Sequence, residues 1–133
     1  MTRLDLLRIQ YSELIAPGVD LRVPDGWLDA FERWLDELEQ VRRAAGPGTR
    51  LRINECVLKH DGLERRVGMP WFPPHGLHGR VAEADRRLDA ALARTCHECG
   101  SPGALRLVGG VLLVACDDHS QGHPVIERNG DGT

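Results

Sequence analysis

Apolar residues recur at helical spacing in three stretches of the chain, and each stretch predicts one helix. The first helix begins after Thr2, where Asp5 completes a capping-box pattern, and it ends before the Pro-Gly step at residues 17–18. The second begins with Asp25 as its N-cap, and the third is predicted over residues 80–95. The second helix carries the clearest apolar stripe, with acidic residues on its other face; the stripe comprises Trp27, Phe31, Trp34, Leu38 and Val41.

Two stretches of strand-like composition flank Asp61-Gly62, a two-residue sequence typical of a type I′ hairpin turn. A loop formed by those two residues sets Cys56 opposite Val67. One face of the hairpin is then apolar, and we expect it to pack on the helices. The residues predicted on that face are Cys56, Leu58, Leu63, Val67 and Met69.

Residues 70–79 are predicted to form a loop, because they contain too many prolines and glycines for a regular element. Trp71 and Phe72 lie in this loop. Two interpretations are open: the aromatic pair is an exposed recognition surface, or it folds back to fill the core.

Two short motifs near the C-terminal end have the spacing of a zinc site. A Cys-x-x-Cys pair is separated by sixteen residues from a Cys-x-x-His pair, and thiolates with imidazole are ligands that suit tetrahedral Zn²⁺. Four protein ligands leave no open coordination position, so we predict one structural zinc ion per chain. The predicted ligands are Cys96, Cys99, Cys116 and His119.

Two other histidines lie close to these ligands in the sequence. His123 follows His119 by four residues and is an alternative fourth ligand, although the two-residue spacing before His119 matches that of the first pair. His97 lies between two ligands, and we expect its side chain to point outward without binding metal.

Short strand-like segments at residues 104–108 and 111–115 flank a Gly-Gly step and predict a hairpin that joins the two ligand pairs as a zinc ribbon. The predicted fold is α+β, with three helices and a β-hairpin followed by this C-terminal ribbon. We predict a helical body at residues 1–95, a ribbon at 96–123 packed on that body, and a flexible tail at 124–133.

Composition places the chain among globular proteins, because 41% of its 133 residues are hydrophobic and 28% are charged. No apolar run is long enough to span a membrane, and the N-terminus lacks a signal-peptide pattern, so we expect a cytoplasmic protein of a bacterial host that does not bind membranes. Cys56, the cysteine outside the motifs, is then expected to be a buried thiol.

Charge is unevenly distributed along the chain: residues 1–40 carry 4 basic and 9 acidic side chains, whereas residues 41–95 carry 11 basic and 6 acidic ones.

Two zinc-dependent enzyme classes do not fit the motifs. A zinc deaminase requires His-x-Glu followed by Pro-Cys-x-x-Cys, but Glu98 lies between the two cysteines of its motif. A nuclease of the HNH type requires a free histidine where zinc needs His119. We therefore predict that the protein is not an enzyme.

The chain resembles a family of small uncharacterised bacterial and phage or prophage proteins with a C-terminal zinc ribbon. The resemblance covers most of residues 4–119. It implies the fold, the zinc ligation and a mobile-element setting. The matching segments are Leu6-Leu7 with Tyr11 and Leu14-Ile15, Asp25-Gly26-Trp27, the hairpin at residues 51–67, the segment Thr95-Cys96-His97-Glu98-Cys99-Gly100-Ser101-Pro102-Gly103, and Cys116-Asp117-Asp118-His119.

The function hypothesis is a non-enzymatic protein-binding module, and its more specific form is a phage or prophage accessory that modulates a host protein. A protein partner is expected, and the candidate partner-binding residues are Trp71, Phe72, Arg86, Arg87 and Arg94. The alternative is a nucleic-acid-binding zinc ribbon that uses a basic face within residues 42–94. That face would combine the arginines of the third helix with Arg50, Arg52, Arg65 and Arg66.

Overall fold

The structure is a computed structural model that describes residues 1–59, 62–120, 122 and 124–126. Within these residues, three α-helices and two small β-sheets confirm the predicted α+β class. None of the helices described is both long and apolar enough to cross a membrane. The elements are α1 (Arg3–Gln10), β1 (Leu21–Arg22), α2 (Leu28–Ala44), β2 (Arg52–Lys59), β3 (Gly62–Gly68), α3 (Leu77–Leu92), β4 (Ala104–Val108) and β5 (Val111–Ala115).

The capping box at the start of α1 is confirmed. The Thr2 hydroxyl accepts a hydrogen bond from the Asp5 backbone N–H at 3.1 Å, and the Asp5 carboxylate accepts one from the Thr2 N–H at 3.0 Å. At the C-terminal end of α1, the hydroxyl of buried Tyr11 donates to Asp36 of α2 at 2.5 Å. Local capping therefore starts α1, and one polar contact fixes its end to α2.

The apolar stripe of α2 forms the centre of the core. Trp27, Phe31 and Leu38 are completely buried, and Trp34 is nearly so. The predicted N-cap was wrong: Asp25 lies in a 3-10 turn over Asp25–Trp27, and no side chain caps either this turn or α2. A backbone contact with the C-terminal ribbon holds this turn in place of a side-chain cap: the Gly26 N–H donates to the His97 carbonyl at 2.9 Å.

The predicted register of the first hairpin was also wrong. Cys56 pairs with Arg65, not with Val67, and Gly62 is a strand residue opposite Lys59. The observed register pairs apolar residues of β2 and β3, such as Leu58 with Leu63. It also includes a bulge between Ile53 and Glu55. Residues 60 and 61, which include half of the predicted turn, lie outside the described residues.

The apolar face of this hairpin is retained because the shift is by an even number of residues. Cys56 and Leu63 are buried, and Val67 and Met69 are partly buried against the core, whereas Leu58 is exposed. Strand β1 pairs with β2 in parallel, which gives the sheet order β1-β2-β3.

The loop before α3 is shorter than predicted, because α3 begins at Leu77 and ends at Leu92. Gly76 supplies the N-cap with φ of 83°, a conformation that favours glycine, and Leu77 is buried beneath the first turn. The burial of one apolar residue therefore extends the helix beyond the segment whose spacing predicts it.

The predicted β4–β5 hairpin is confirmed, with Val108 opposite Val111 around Gly109-Gly110. Both glycines have positive φ, as a type I′ turn requires. Leu105 and Val114 belong to the same buried cluster as the body residues, so this sheet shares their core.

The first residues of the predicted tail contact this sheet. Val125 forms a bridge with Arg106, and the Ile126 N–H donates to the Leu105 carbonyl at 2.8 Å. The rest of that tail, residues 127–133, lies outside the described residues.

Candidate metal centre and exposed surfaces

The structure brings the four predicted metal ligands together. The Sγ atoms of the three cysteines and a ring nitrogen of the histidine all lie within 4.8 Å of one another, which is a group that could hold a metal ion. Three sulfurs and one imidazole nitrogen are the donor set of a closed zinc site. The residues are Cys96, Cys99, Cys116 and His119.

The first pair of ligands lies on a tight turn directly after α3. The Gly100 N–H donates to the Cys96 carbonyl at 3.0 Å, and Gly100 adopts φ of 80° to close the turn. The Cys96 N–H also donates to the Ser101 carbonyl at 2.7 Å. The second pair spans the 3-10 turn Asp117–His119 that follows β5. The β4–β5 hairpin thus returns the chain so that the two turns face each other.

Hydrogen bonds around the first two sulfurs favour thiolates. Hydrogen bonds from the side chain and backbone of Ser101 lower the pKa of Cys99 to about 6. Burial opposes ionisation of Cys96, but backbone N–H groups, including that of Glu98, outweigh it and lower its pKa. Burial raises the pKa of Cys116, which therefore depends most on a metal to lose its proton.

The two ring nitrogens of His119 face different groups. Its Nδ1 lies 3.2 Å from the Cys116 sulfur and 3.6 Å from the Cys96 sulfur. Its Nε2 lies 3.5 Å from the Glu98 carboxylate. The Nδ1 atom is therefore the ring nitrogen placed to bind a metal. The alternative ligand His123 lies outside the described residues.

His97 does not point outward as expected. Only 13% of its side chain is exposed, and its Nδ1 lies 2.8 Å from the Val114 carbonyl of β5. Its backbone N–H donates to the same carbonyl at 2.9 Å. The prediction that His97 points outward was wrong because the first metal-ligand turn packs against β5, where His97 contacts the carbonyl of Val114.

Gly26 joins the body to the first metal-ligand turn, a role that no predicted motif indicates. Its N–H donates to the His97 carbonyl at 2.9 Å, and a Cβ atom at this position would lie 2.2 Å from the Cys96 carbonyl oxygen. The indole N–H of neighbouring Trp27 donates to the Thr95 carbonyl at 2.8 Å. A glycine between Asp25 and Trp27 at a helix start was the available signal.

The loop before α3 exposes two large aromatic side chains. Trp71 is 91% exposed and Phe72 is 86% exposed, so the interpretation that they fill the core was wrong. Their ring centroids lie 6.5 Å apart in an edge-to-face arrangement. We call these two residues the aromatic pair.

The candidate arginines in and just after α3 contact groups of their own protein. Arg87 pairs with Glu37 of α2 at 2.8 Å and with Glu83 at 3.5 Å, and Arg86 pairs with Glu83 at 3.3 Å. Arg94 donates to the Ala90 carbonyl at 3.3 Å. Arg86 and Arg87 therefore present less net positive charge than their sequence indicates.

The single basic face expected for nucleic-acid binding does not include both arginines of β3. Arg65 is only 9% exposed at its side chain, whereas Arg66 is 72% exposed and pairs with Glu55 at 2.8 Å. Neighbouring strand residues point to opposite faces, so Arg65 and Arg66 cannot contribute to one surface. That part of the prediction was wrong.

Comparisons of this chain with family models, with curated proteins and with solved structures found no match. Membership of the phage and prophage family therefore stays a prediction.

Proposed function

We propose that the protein is a non-enzymatic binding module, whose fold is closed by one structural Zn²⁺ ion and whose aromatic pair binds a protein partner. The exposure of Trp71 and Phe72 carries this proposal. Large aromatic side chains dominate the energetics of protein interfaces, and two adjacent ones that contribute nothing to the core are suited to such a contact.

The chemistry of the donor set supports zinc as the metal. Three thiolates and an imidazole favour a borderline-soft ion with tetrahedral geometry, and hard ions such as Mg²⁺ or Ca²⁺ favour oxygen ligands instead. Four protein ligands fill the coordination sphere, so the ion supplies folding energy and no site for substrate. Cys96, Cys99, Cys116 and His119 would hold it.

The backbone around the aromatic pair supports a recognition role. Pro70 precedes the pair, and Pro73 and Pro74 follow it, so three residues of the loop have a restricted φ. A loop that is already restricted loses less conformational entropy when a partner orders it. Binding through the aromatic pair therefore costs little conformational entropy of the loop.

The family resemblance supports a more specific version, in which the protein is a phage or prophage accessory that modulates a host protein. The genes next to its own provide an inexpensive test. Neighbouring phage structural, defence or toxin genes would support the mobile-element setting, and a neighbourhood of ordinary metabolic genes would contradict it.

Affinity capture from host lysate tests the aromatic pair directly. We expect the zinc-loaded wild-type chain to retain a protein at physiological salt and the W71A/F72A variant to lose it. A matched control is L107A/V111A, because Leu107 and Val111 are also exposed apolar residues but lie at the tip of the β4–β5 hairpin. Retention of no protein by the wild type, or equal retention by W71A/F72A, would contradict the proposal.

Nucleic-acid binding is the second candidate, favoured by exposed arginines in and just after α3, namely Arg80, Arg86, Arg87 and Arg94. Salt dependence separates the two functions. Nucleic-acid affinity falls steeply between low and physiological salt because phosphate contacts release counterions, whereas a contact made by two aromatic rings changes little. The ion pairs of Arg86 and Arg87 make this the weaker candidate.

A further inference from the structure

We infer that Glu98 is a positioning residue for the metal centre, whose carboxylate accepts a hydrogen bond from the Nε2–H group of His119 and so fixes the Nδ1 atom of that ring as the metal donor. This inference rests on the proposed zinc centre. It adds a fifth side chain to the four ligands and states which nitrogen binds.

The His119 ring is oriented so that its two nitrogens face different groups. Nδ1 faces the sulfurs of Cys116 and Cys96 at 3.2 and 3.6 Å, and Nε2 faces the Glu98 Oε2 atom at 3.5 Å. A neutral imidazole carries one N–H, and the nitrogen that binds a metal must be the one without it. Coordination through Nδ1 therefore leaves the proton on Nε2, the ring nitrogen that lies 3.5 Å from the carboxylate.

The neighbouring histidine does not compete for this carboxylate when it is neutral. His97 Nδ1 lies 2.8 Å from the Val114 carbonyl, which can only accept, so the proton of that ring is on Nδ1. Its Nε2 then has a lone pair and lies 4.0 Å from Glu98. His119 is therefore the ring that can donate a hydrogen bond to Glu98.

The backbone and the side chain of Glu98 contact different metal ligands. Its backbone N–H donates to the Cys96 thiolate, and its side chain faces His119. Carboxylate partners of metal-bound histidines fix the ring and raise its basicity, and their loss costs about 10- to 100-fold in metal affinity. Because 56% of the Glu98 side chain is exposed, we expect the lower end of that range.

The experiment measures zinc affinity of the full-length chain by competition with a chromophoric chelator. We expect E98A to bind zinc about 10-fold more weakly than the wild type, and E98Q to fall between them because an amide oxygen accepts the hydrogen bond from Nε2–H but carries no charge. The matched control is D118N. It removes the same charge next to His119, and it keeps the Asp118 backbone N–H that donates to Cys116. We expect it to change affinity less than about 2-fold.

A second measurement reports the ring directly. Long-range ¹H–¹⁵N spectra of the zinc-loaded wild type are expected to show His119 bound through Nδ1 and protonated at Nε2, with faster exchange of the Nε2 proton in E98A. The role of Glu98 is overturned if E98A binds as tightly as the wild type, if D118N weakens binding equally, or if Nε2 is the bound nitrogen. A wild-type chain that binds no zinc would overturn the metal centre itself, and with it this inference.

Discussion

At the scale of single residues, Gly26 matters through the side chain that it lacks. The first metal-ligand turn passes so close that an added Cβ would lie 2.2 Å from a carbonyl oxygen and 2.7 Å from the Gly100 nitrogen, both of which are backbone atoms. A backbone atom cannot move aside as the end of a flexible side chain can. The contact between the body and the metal centre therefore depends on glycine at this position.

We predict that G26A destabilises the zinc-loaded protein by about 3 kcal/mol, the upper end of the cost of overpacking. Urea unfolding followed by tryptophan fluorescence measures this. G79A is the matched control, because Gly79 lies in α3 with nothing within 4 Å of its added Cβ. We expect G79A to stabilise the protein by about 0.5–1 kcal/mol. Similar effects of the two substitutions would contradict the close contact.

Cys56 is the fourth thiol, and burial raises its pKa to about 12 from 9.0. Between these values the unfolded chain loses a proton that the folded chain keeps, so the contribution of Cys56 to stability is present below pH 9 and is lost as pH rises towards 12. At pH 8 its thiolate is negligible in the folded protein.

Thiol counting with a disulfide reagent at pH 8 tests this assignment. Among the cysteines we expect no rapid reaction while zinc is bound, release of the three ligand thiols when a chelator is added, and reaction of Cys56 only after denaturant is added. The C56A variant is the control and should lose only the last step. Rapid reaction of Cys56 in the zinc-loaded protein would show that it is accessible.

At the scale of elements, Arg65 connects β3 to both long helices. Its guanidinium lies 5.6 Å from the ring centroid of Trp34, and it pairs with Asp85 at 3.4 Å and Asp89 at 2.9 Å. The Trp34 indole N–H donates to the same Asp85 at 3.0 Å. The four side chains form one network, in which each polar group has a partner on another element.

We predict that R65M destabilises the protein by about 2 kcal/mol, which is below the 3–5 kcal/mol of a fully buried pair because its acidic partners are partly exposed. R66M is the matched control on the neighbouring residue. Its only described ion pair is exposed, and we expect a change within about 0.5 kcal/mol. Chemical denaturation of both variants measures the difference, and equal effects would contradict the network.

The pH dependence of R65M follows from Asp85. Burial raises the pKa of this carboxyl, and the charge of Arg65 opposes the increase, so R65M should raise it further. The folded state then binds a proton that the unfolded state releases, and the stability deficit of R65M relative to the wild type should narrow as pH falls from 7 towards 4. A deficit that widens on acidification would contradict this sign.

Local patterns explain which elements could be predicted. The capping box at Thr2 and the hairpin turn at Gly109-Gly110 involve residues close in sequence, and both are confirmed. The ligand spacing likewise predicts a group that the structure brings together. The packing of Gly26 and the burial of Arg65 could not be predicted in this way, because each depends on contacts between segments distant in the chain. The register of β2 with β3 is local, but the Asp61-Gly62 sequence predicts a different set of cross-strand pairs from the observed ones, such as Leu58 with Leu63.

At the scale of the whole molecule, the metal centre and the body form one unit. Leu105 and Val114 of the ribbon belong to the core cluster of the helices, and only residues 93–95 separate α3 from Cys96. Folding of the body and binding of the metal should therefore be coupled, as in small metal-dependent domains.

We predict that removing zinc with a chelator lowers the stability of the whole chain by several kcal/mol, since about 4 kcal/mol corresponds to free metal at 1,000 times its dissociation constant. Thermal unfolding followed by circular dichroism measures this as a single shifted transition. C99S should melt like the chelated wild type and be insensitive to chelator. One zinc per chain in C99S would refute the ligand assignment, and an unchanged helical transition would refute the coupling.

The Gly109-Gly110 turn has a practical consequence for labelling. A Cβ at either glycine would meet nothing within 4 Å, and the flanking Leu107 and Val111 are exposed. The ligand turns lie at the other end of β4 and β5, beyond Ala104 and Ala115. A short epitope or a fluorophore-bearing peptide inserted at this turn should leave zinc stoichiometry unchanged, so a labelled protein could report on binding partners without disturbing the fold.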